Sequence, residues 1–220
     1  MAPITTPQIV VALGDVEAGL VEPILAPHQK MIHNPTEEDL ARADAAIVRA
    51  AYTVDRELLD RMPALKVIAR TGVGTDLVDV AEANRRGIPV VITPGSNTAS
   101  VAEGVIAHLL ALVKKLSTLT SLVRDGRWAE RSAVNVGDLE GFTLGIIGYG
   151  RIGRRVARIA EAFDLKVLAF DPFADVPAGI RCETVEELLR RSDFVTLHVP
   201  LTPENHNLIN TERIALMPAG

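Results

Sequence analysis

Three closely spaced glycines and one downstream carboxylate are the residues of this sequence best suited to bind a ligand. Gly148, Gly150 and Gly153 form a Gly-x-Gly-x-x-Gly pattern, and Asp171 follows them. Such glycines let a backbone turn sharply and approach a pyrophosphate. An acid about 20 residues further on can accept hydrogen bonds from ribose hydroxyls. The spacing therefore predicts a dinucleotide site.

The elements around these glycines are those that such a site requires. The apolar run Thr143–Ile147 predicts a buried parallel strand, and a helical pattern begins at Arg151. That helix would aim its free N–H groups and positive dipole end at the phosphates. A second strand, predicted over Lys166–Phe170, would end just before Asp171. A purely structural glycine turn is the alternative, but strand, glycines, helix, strand and acid in this order favour dinucleotide binding.

Strand and helix patterns alternate along the whole chain, which predicts an α/β protein with parallel sheets. Further strands are expected at 9–13, 45–48, 66–69, 88–92 and 194–197, and helices at 17–25, 36–43, 53–62, 78–86 and 185–191. A Pro- and Gly-containing segment at 93–97 predicts a boundary between domains 1–97 and 98–220. A capping-box pattern from Ser100 to Glu103 is expected to begin the next helix. About four strands are expected after Phe142, fewer than the six or so of a complete dinucleotide fold.

Composition narrows the possible partners. The chain has 220 residues and a formal net charge of −5, and it shows no basic stripe of the kind that binds nucleic acid. Its most apolar stretch, 101–113, contains Glu103 and is too short to span a bilayer. The N-terminus lacks the features of a secretory signal, and Cys182 is the single cysteine. We therefore expect a cytoplasmic protein that binds no nucleic acid, membrane or metal.

Several segments, all in the same order, resemble the D-isomer-specific 2-hydroxyacid dehydrogenases, and in particular the phosphoglycerate dehydrogenases. They lie at 69–76, 93–103, 139–153, 171–172 and 198–204. The resemblance implies a flavodoxin-like substrate-binding domain at 1–97. A Rossmann NAD-binding domain, incomplete at its C-terminus, would follow at 98–220. It also implies a homodimer that acts with NAD on a small anionic 2-hydroxyacid or 2-oxoacid.

The resemblance also assigns binding residues. Arg151 and Ile152 would approach the pyrophosphate, and Asp171 would hold the adenosine ribose. The cofactor residues are then Gly148, Gly150, Arg151, Ile152, Gly153, Asp171, Val199, Pro200, Asn205 and Val73. The substrate residues are Val73, Gly74 and Asn97, together with Arg49 and Arg70.

Charge refines two of these assignments. Asp171 would repel a 2′-phosphate, which favours NAD over NADP. Arg49 and Arg70 each follow a strand of the first domain, where the open edge of an α/β sheet binds ligands, so they suit an anionic substrate. They also match positions that contact the substrate phosphate in phosphoglycerate dehydrogenases. A structural role for both arginines is an open alternative.

The resemblance implies hydride transfer between nicotinamide and the substrate carbon that bears oxygen. The family's Arg, Glu and His would correspond to positions beyond Gly220, so we assign no catalytic residue and expect a chain ending there not to catalyse efficiently. His198 is a candidate acid or base, but it matches a loop that contacts the cofactor through its backbone. An NAD-binding sensor or corepressor-type module without turnover is the alternative function.

Overall fold

The computed structural model describes residues 8–27, 29–49 and 52–219 of the chain. The chain divides into two compact units, the first ending at Asn97 and the second beginning at Thr98. Each unit contains its own parallel sheet. The predicted α/β class is confirmed.

The first unit is a five-stranded parallel sheet whose strands alternate with short helices. The strands are β1 (Ile9–Leu13), β2 (Lys30–His33), β3 (Ala45–Val48), β4 (Val67–Arg70) and β5 (Val90–Val91). The helices are α1 (Ala18–Val21, continued by a 3₁₀ turn over Glu22–Ile24), α2 (Glu37–Arg42), α3 (Arg56–Asp60) and α4 (Val80–Arg85). The strand order β2-β1-β3-β4-β5 is that of a flavodoxin-like sheet, as predicted.

Side-chain caps fix where these short helices begin. The helix expected from Thr36 does begin there, and Thr36 and Asp39 form a capping box at the start of α2. The predicted starts of the next two helices were too early. Asp55 accepts from the N–H of Leu58, and Asp79 accepts from that of Glu82, so α3 and α4 begin after these aspartates. Strand β2 was missed because it is short, lies at the sheet edge and carries no buried residue that would mark it.

The second unit places helices around a three-stranded sheet. Its helices are α5 (Thr98–Val113), α6 (Leu116–Arg124), α7 (Arg151–Glu161), α8 (Val185–Arg190) and α9 (Thr211–Ile214), with 3₁₀ turns at Trp128–Ala133 and Pro203–Asn205. Its strands are β6 (Thr143–Ile147), β7 (Lys166–Phe170) and β8 (Phe194–Leu197), in the order β7-β6-β8.

Two expectations for this unit were wrong. The described residues after Phe142 form three strands rather than about four, because the chain after β8 turns into a loop and short helical segments. Helix α5 begins at Thr98, so Ser100 lies inside the helix and does not cap it. Within the described residues no single helix is long and apolar enough to cross a bilayer. Among the described helices, α5 and α6 taken together have the length and apolar composition of a membrane span, but they are bent by 64° at their junction.

The core of the second unit holds the glycine-bearing segment in place. Leu144 and Ile146 of β6 are fully buried, and Val156 and Ala160 of α7 are buried in the same cluster. Burying a side chain such as Leu or Ile contributes about 1.5–3 kcal/mol each. The turn between β6 and α7 is therefore anchored on both sides by packed side chains.

Candidate cofactor site

The three strands of the second unit end at one level. In the register of the sheet, Ile147 of β6 pairs with Phe170 of β7 and with Leu197 of β8. The next residues, Gly148, Asp171 and His198, therefore emerge together at the carboxyl edge. In open α/β sheets this edge is where ligands bind.

Gly148 must be glycine for two reasons. Its φ is +95°, in the left-handed region that residues with a side chain rarely adopt. A Cβ atom at this position would also lie 2.6 Å from the carbonyl oxygen of His198. The turn after β6 thus passes directly over the end of β8.

Gly150 and Gly153 are glycines for different reasons. A Cβ on Gly153 would collide with the carbonyl oxygen of Gly148, so this glycine lets α7 pack against its own turn. A Cβ on Gly150 would meet no protein atom within 4 Å, and its φ of −76° is ordinary. Since the protein itself does not require a glycine at 150, the open space beside it fits the close approach of a ligand such as a pyrophosphate.

Backbone amides on both sides orient the carboxylate of Asp171. One oxygen accepts from the N–H of Tyr149 in the glycine turn (2.7 Å), and the other accepts from Phe173 (2.8 Å) and Ala174 (2.9 Å). Partial burial opposes ionisation, but these three hydrogen bonds outweigh it and hold the pKa of Asp171 below its ordinary value. An ionised, preoriented acceptor therefore lies beside the turn.

A cavity of about 680 Å³ opens at this edge, within the size range of small-molecule sites. Most of its wall is apolar, including Phe170, Pro172 and Leu208. The predicted residues that line it are Gly150, Asp171, Val199, Pro200 and Asn205. An apolar hollow with one oriented carboxylate suits a ligand that combines flat rings with sugar hydroxyls.

Asn205 holds the loop that forms one wall of the cavity. Its side-chain oxygen accepts from the N–H of Thr202 (2.8 Å), and its side-chain nitrogen donates to the carbonyl of Pro200 (2.5 Å). Both ends of the amide are thus bound within its own loop. The structure therefore gives Asn205 a positioning role for Pro200.

His198 lines the cavity, with its Nε2 atom 3.0 Å from the hydroxyl oxygen of Thr196. Burial lowers the pKa of His198 below its ordinary value, so the ring is neutral near pH 7. A neutral ring held by a strand neighbour favours a role in lining the cavity.

The remaining predicted cofactor residues lie elsewhere. Arg151 is exposed at the start of α7, and the half-buried Ile152 packs against the core of the unit; neither lines the cavity. Arg154 was missed by the sequence analysis. Its guanidinium group donates to the carbonyl of Tyr149 (3.0 Å) and lies 5.4 Å from the centre of the Tyr149 ring, which steadies the glycine turn.

The predicted substrate residues all belong to the first unit. Arg70 ends β4, and Arg49 directly follows β3, which pairs with β4. Arg70 is buried, with its Nε donating to the carbonyl of Gly74 (3.0 Å), so it shapes the turn that carries Val73 and Gly74. Arg49 donates to the carbonyl of Asp15 (2.8 Å) and lies 3.3 Å from Glu17, yet its side chain is 41% exposed.

The last predicted substrate residue is Asn97, which ends the first unit. Its side-chain oxygen is buried and has no hydrogen-bond partner among the described residues. All the predicted substrate residues thus lie in the first unit, and their role in substrate binding stays a prediction.

Comparison with known proteins identifies the kind of domain that this geometry belongs to. Residues 106–220 match the model of the NAD-binding domain of the D-isomer specific 2-hydroxyacid dehydrogenases. The chain belongs to this family. Its second unit is the NAD-binding domain, and the cofactor is NAD. The glycines, Asp171 and the cavity fit that cofactor, which confirms the predicted family and cofactor.

Named relatives are dehydrogenases and reductases. The D-3-phosphoglycerate dehydrogenase of Methanocaldococcus jannaschii is 39% identical over 185 residues, which cover 82% of this chain and 35% of that protein. The hydroxypyruvate reductase of Thermotoga maritima is 39% identical over 184 residues, covering 82% and 59% of the two chains. The chain thus spans about a third to three fifths of the length of these curated relatives.

Solved structures agree with the fold. The D-lactate dehydrogenase of Aquifex aeolicus, determined with NAD and lactic acid, superposes with a TM-score of 0.82 at 33% identity. The match covers 95% of this chain and 66% of that one. The likeness therefore extends over both units of the present chain.

Proposed function

We propose that this chain binds NAD and substrate for an oxidoreductase acting on a small D-2-hydroxyacid or the corresponding 2-oxoacid. The observation that carries the proposal is the carboxylate of Asp171, oriented by the N–H of Tyr149 at the mouth of an apolar cavity. Bound NAD would supply hydride transfer at its nicotinamide ring. The chain's own residues would bind and orient the cofactor and exclude water from it.

The substrate class rests on the first unit. The Arg49 side chain, 41% exposed at the carboxyl edge of the sheet, uses its Nη1 atom to contact Asp15 and Glu17. Guanidinium groups bind carboxylates and phosphates through paired hydrogen bonds. We favour a phosphorylated acid such as 3-phosphoglycerate, which the name of one relative also supports. Arg70 would act indirectly, through the turn it holds at Gly74.

We assign binding roles, and no proton-transfer role, to the residues of this chain. His198 is neutral and its ring is hydrogen-bonded to the Thr196 hydroxyl group. This arrangement suits contact with the cofactor better than acid–base chemistry. The relatives carry the names of dehydrogenases and reductases, which does not favour the alternative of a sensor without turnover.

A homodimer through the second unit is part of the proposal. Large apolar side chains on α5 and α6 are exposed, among them Leu112 (61%) and Val123 (57%). Exposed apolar patches of this kind mark protein interfaces. The expected cytoplasmic location and the absence of nucleic-acid and membrane partners stay predictions.

The decisive experiment measures cofactor binding by the 220-residue chain. Titration with NADH, followed by calorimetry or Trp128 emission, should show saturable binding that is tighter for NADH than for NADPH. Asp171→Ala should weaken NADH binding about 10- to 100-fold, because a hydrogen bond to a charged group contributes about 1.5–3 kcal/mol. Asp171→Asn, which keeps the shape but not the charge, should narrow the preference for NADH over NADPH.

The matched control is Asp175→Ala, since the Asp175 side chain is 95% exposed in the same loop and pairs only with Arg181 among the described residues. Equal losses of NADH affinity in Asp171→Ala and Asp175→Ala would contradict the assignment. So would an unchanged ratio of NADH to NADPH affinity in Asp171→Asn. Turnover is tested separately with the complete gene product. D-3-phosphoglycerate and an unphosphorylated D-2-hydroxyacid should respond differently to Arg49→Ala if Arg49 binds the phosphate.

A further inference from the structure

Four arginines crowd one side of α7. Arg151, Arg154, Arg155 and Arg158 follow the spacing i, i+3, i+4, i+7, which places their side chains along the same face of a helix. Together with Thr98 of α5 they line an open hollow of about 290 Å³. This hollow shares no lining residue with the cavity beside Asp171.

The positive charge of this face is only partly compensated. Like charges at these helical spacings repel one another. Within the described residues, Arg154 interacts electrostatically with the Asp171 carboxylate, and Arg155 lies near the carboxylate of Glu103. The Glu103 side chain lies 4.0 Å from Arg155 and is 69% exposed. Arg154 is bound to the backbone carbonyls of Tyr149 and Asp175, which accept hydrogen bonds but carry no net charge. Glu161, on the next turn of α7, forms no ion pair with the arginines.

Several donors in the hollow lack an acceptor. Arg151 and Arg158 have neither a hydrogen-bond acceptor nor an ion-pair partner among the described residues. The Nε atom of Arg155 is buried and also has no acceptor there. Buried donors in native proteins are nearly always satisfied by protein, water or an ion. Beside three further guanidinium groups, an anion would accept from this donor and also reduce the repulsion between the like charges.

We propose that this hollow binds a small phosphate-bearing anion. Phosphate matches the donor set because a guanidinium group engages two of its oxygens at once, and its further oxygens leave room for a second arginine. A carboxylate has only two oxygens and would satisfy one such fork. The Thr98 hydroxyl supplies one more possible donor at the rim. The hollow and the NAD cavity share no lining residue. The proposal rests on Arg155 and Arg158, to which no cofactor role is assigned, so it goes beyond the proposed function.

The experiment titrates inorganic phosphate into the 220-residue chain by calorimetry, at constant ionic strength set with chloride and in saturating NADH. Saturating NADH prevents phosphate from binding in the dinucleotide cavity. We expect wild type to bind one phosphate. Arg155→Gln/Arg158→Gln should bind it at least 10-fold more weakly. The control Arg124→Gln/Arg190→Gln removes the same charge from exposed positions outside the hollow and should change the affinity less than 2-fold.

A thermal unfolding series provides an independent readout. Phosphate should raise the unfolding midpoint of wild type and of the control variant, but not that of the double variant. Without phosphate, relief of repulsion should leave the double variant with a midpoint no lower than that of wild type. The single variant Arg158→Gln, at an exposed position, repeats the test if the double variant folds poorly.

Glycerol phosphate distinguishes the source of the anion. Tighter binding than that of inorganic phosphate assigns the site to a phosphomonoester, and equal or weaker binding assigns it to free phosphate. Absence of phosphate binding in wild type, or equal weakening in the site and control variants, would overturn the proposal.

Discussion

At the scale of single residues, the three glycines of the pattern meet three different physical demands. Gly148 is required because its φ is positive and a side chain there would collide with the end of β8. Gly153 is required because a side chain there would collide with the turn that precedes α7. Gly150 lines the cavity and faces open space, so a side chain there would occupy the volume open to a ligand without meeting a protein atom. Alanine substitutions at Gly150 and Gly153 should therefore separate an effect on ligand binding from an effect on protein stability.

We expect Gly150→Ala to weaken NADH binding at least 10-fold while changing the free energy of unfolding by less than about 1 kcal/mol, because the added methyl group fills only ligand space. Gly153→Ala should lower the free energy of unfolding by about 1–3 kcal/mol, since the methyl group meets the Gly148 carbonyl. Urea denaturation and NADH titration measure the two effects. A large loss of stability in Gly150→Ala would argue against the assignment.

At the scale of elements, short segments depend on caps and clamps because helices of four to six residues do not form alone. Thr36, Asp55 and Asp79 start helices of the first unit, and Asn210 starts α9 by accepting from the N–H of Arg213. Asn205 completes the capping box of the 3₁₀ turn Pro203–Asn205 and, in addition, holds the carbonyl of Pro200 at the cavity wall. The same residue type thus serves stability at one position and site geometry at the other.

This difference predicts opposite results for two asparagine variants. Asn205→Ala should weaken NADH binding several-fold with little loss of stability, because it releases Thr202 and Pro200 at the cavity. Asn210→Ala should lower the free energy of unfolding by about 1 kcal/mol through loss of a helix cap and leave NADH affinity within 2-fold. Urea denaturation and NADH titration measure the two effects. A loss of stability with unchanged NADH affinity in Asn205→Ala would show that its hydrogen bonds do not shape the site.

At the scale of the whole molecule, each unit has a sheet and core of its own, and the first unit also holds a buried ionic network. Glu82 of α4 has a side chain only 3% exposed, and it accepts from Arg85 (2.5 Å) and Arg86 (2.7 Å). Arg56 of α3 lies 3.4 Å away, so the network joins two helices. These arginines lower the pKa of Glu82 to about 2.

The depressed pKa gives a pH dependence of defined sign. The folded state keeps Glu82 ionised, so its contribution to stability is complete above pH 4.5, the ordinary value. It is lost as the pH falls from there to about 2. Glu82→Gln should therefore lower the urea midpoint at pH 7, and its difference from wild type should shrink between pH 4.5 and 2. The exposed Glu57→Gln is the control, and a difference that stays constant with pH would contradict the network's role.

The sequence by itself determined the order of strands and helices around the nucleotide turn, the glycine pattern and the acid that follows β7. These are local features, since apolar runs, turn residues and short spacings are written directly in the chain. The same locality explains why β2 was missed, because a short edge strand without a buried residue gives a weak local signal.

Only the tertiary structure decided how the side chains are used. It bound the Asp171 carboxylate to the Tyr149 amide, buried Arg70 against the Gly74 carbonyl, and left the Nε atom of Arg155 without an acceptor among the described residues. Each of these outcomes depends on which groups meet when separate elements pack. Hydrogen bonding and desolvation act over a few ångströms in space, whatever the separation of the residues along the chain.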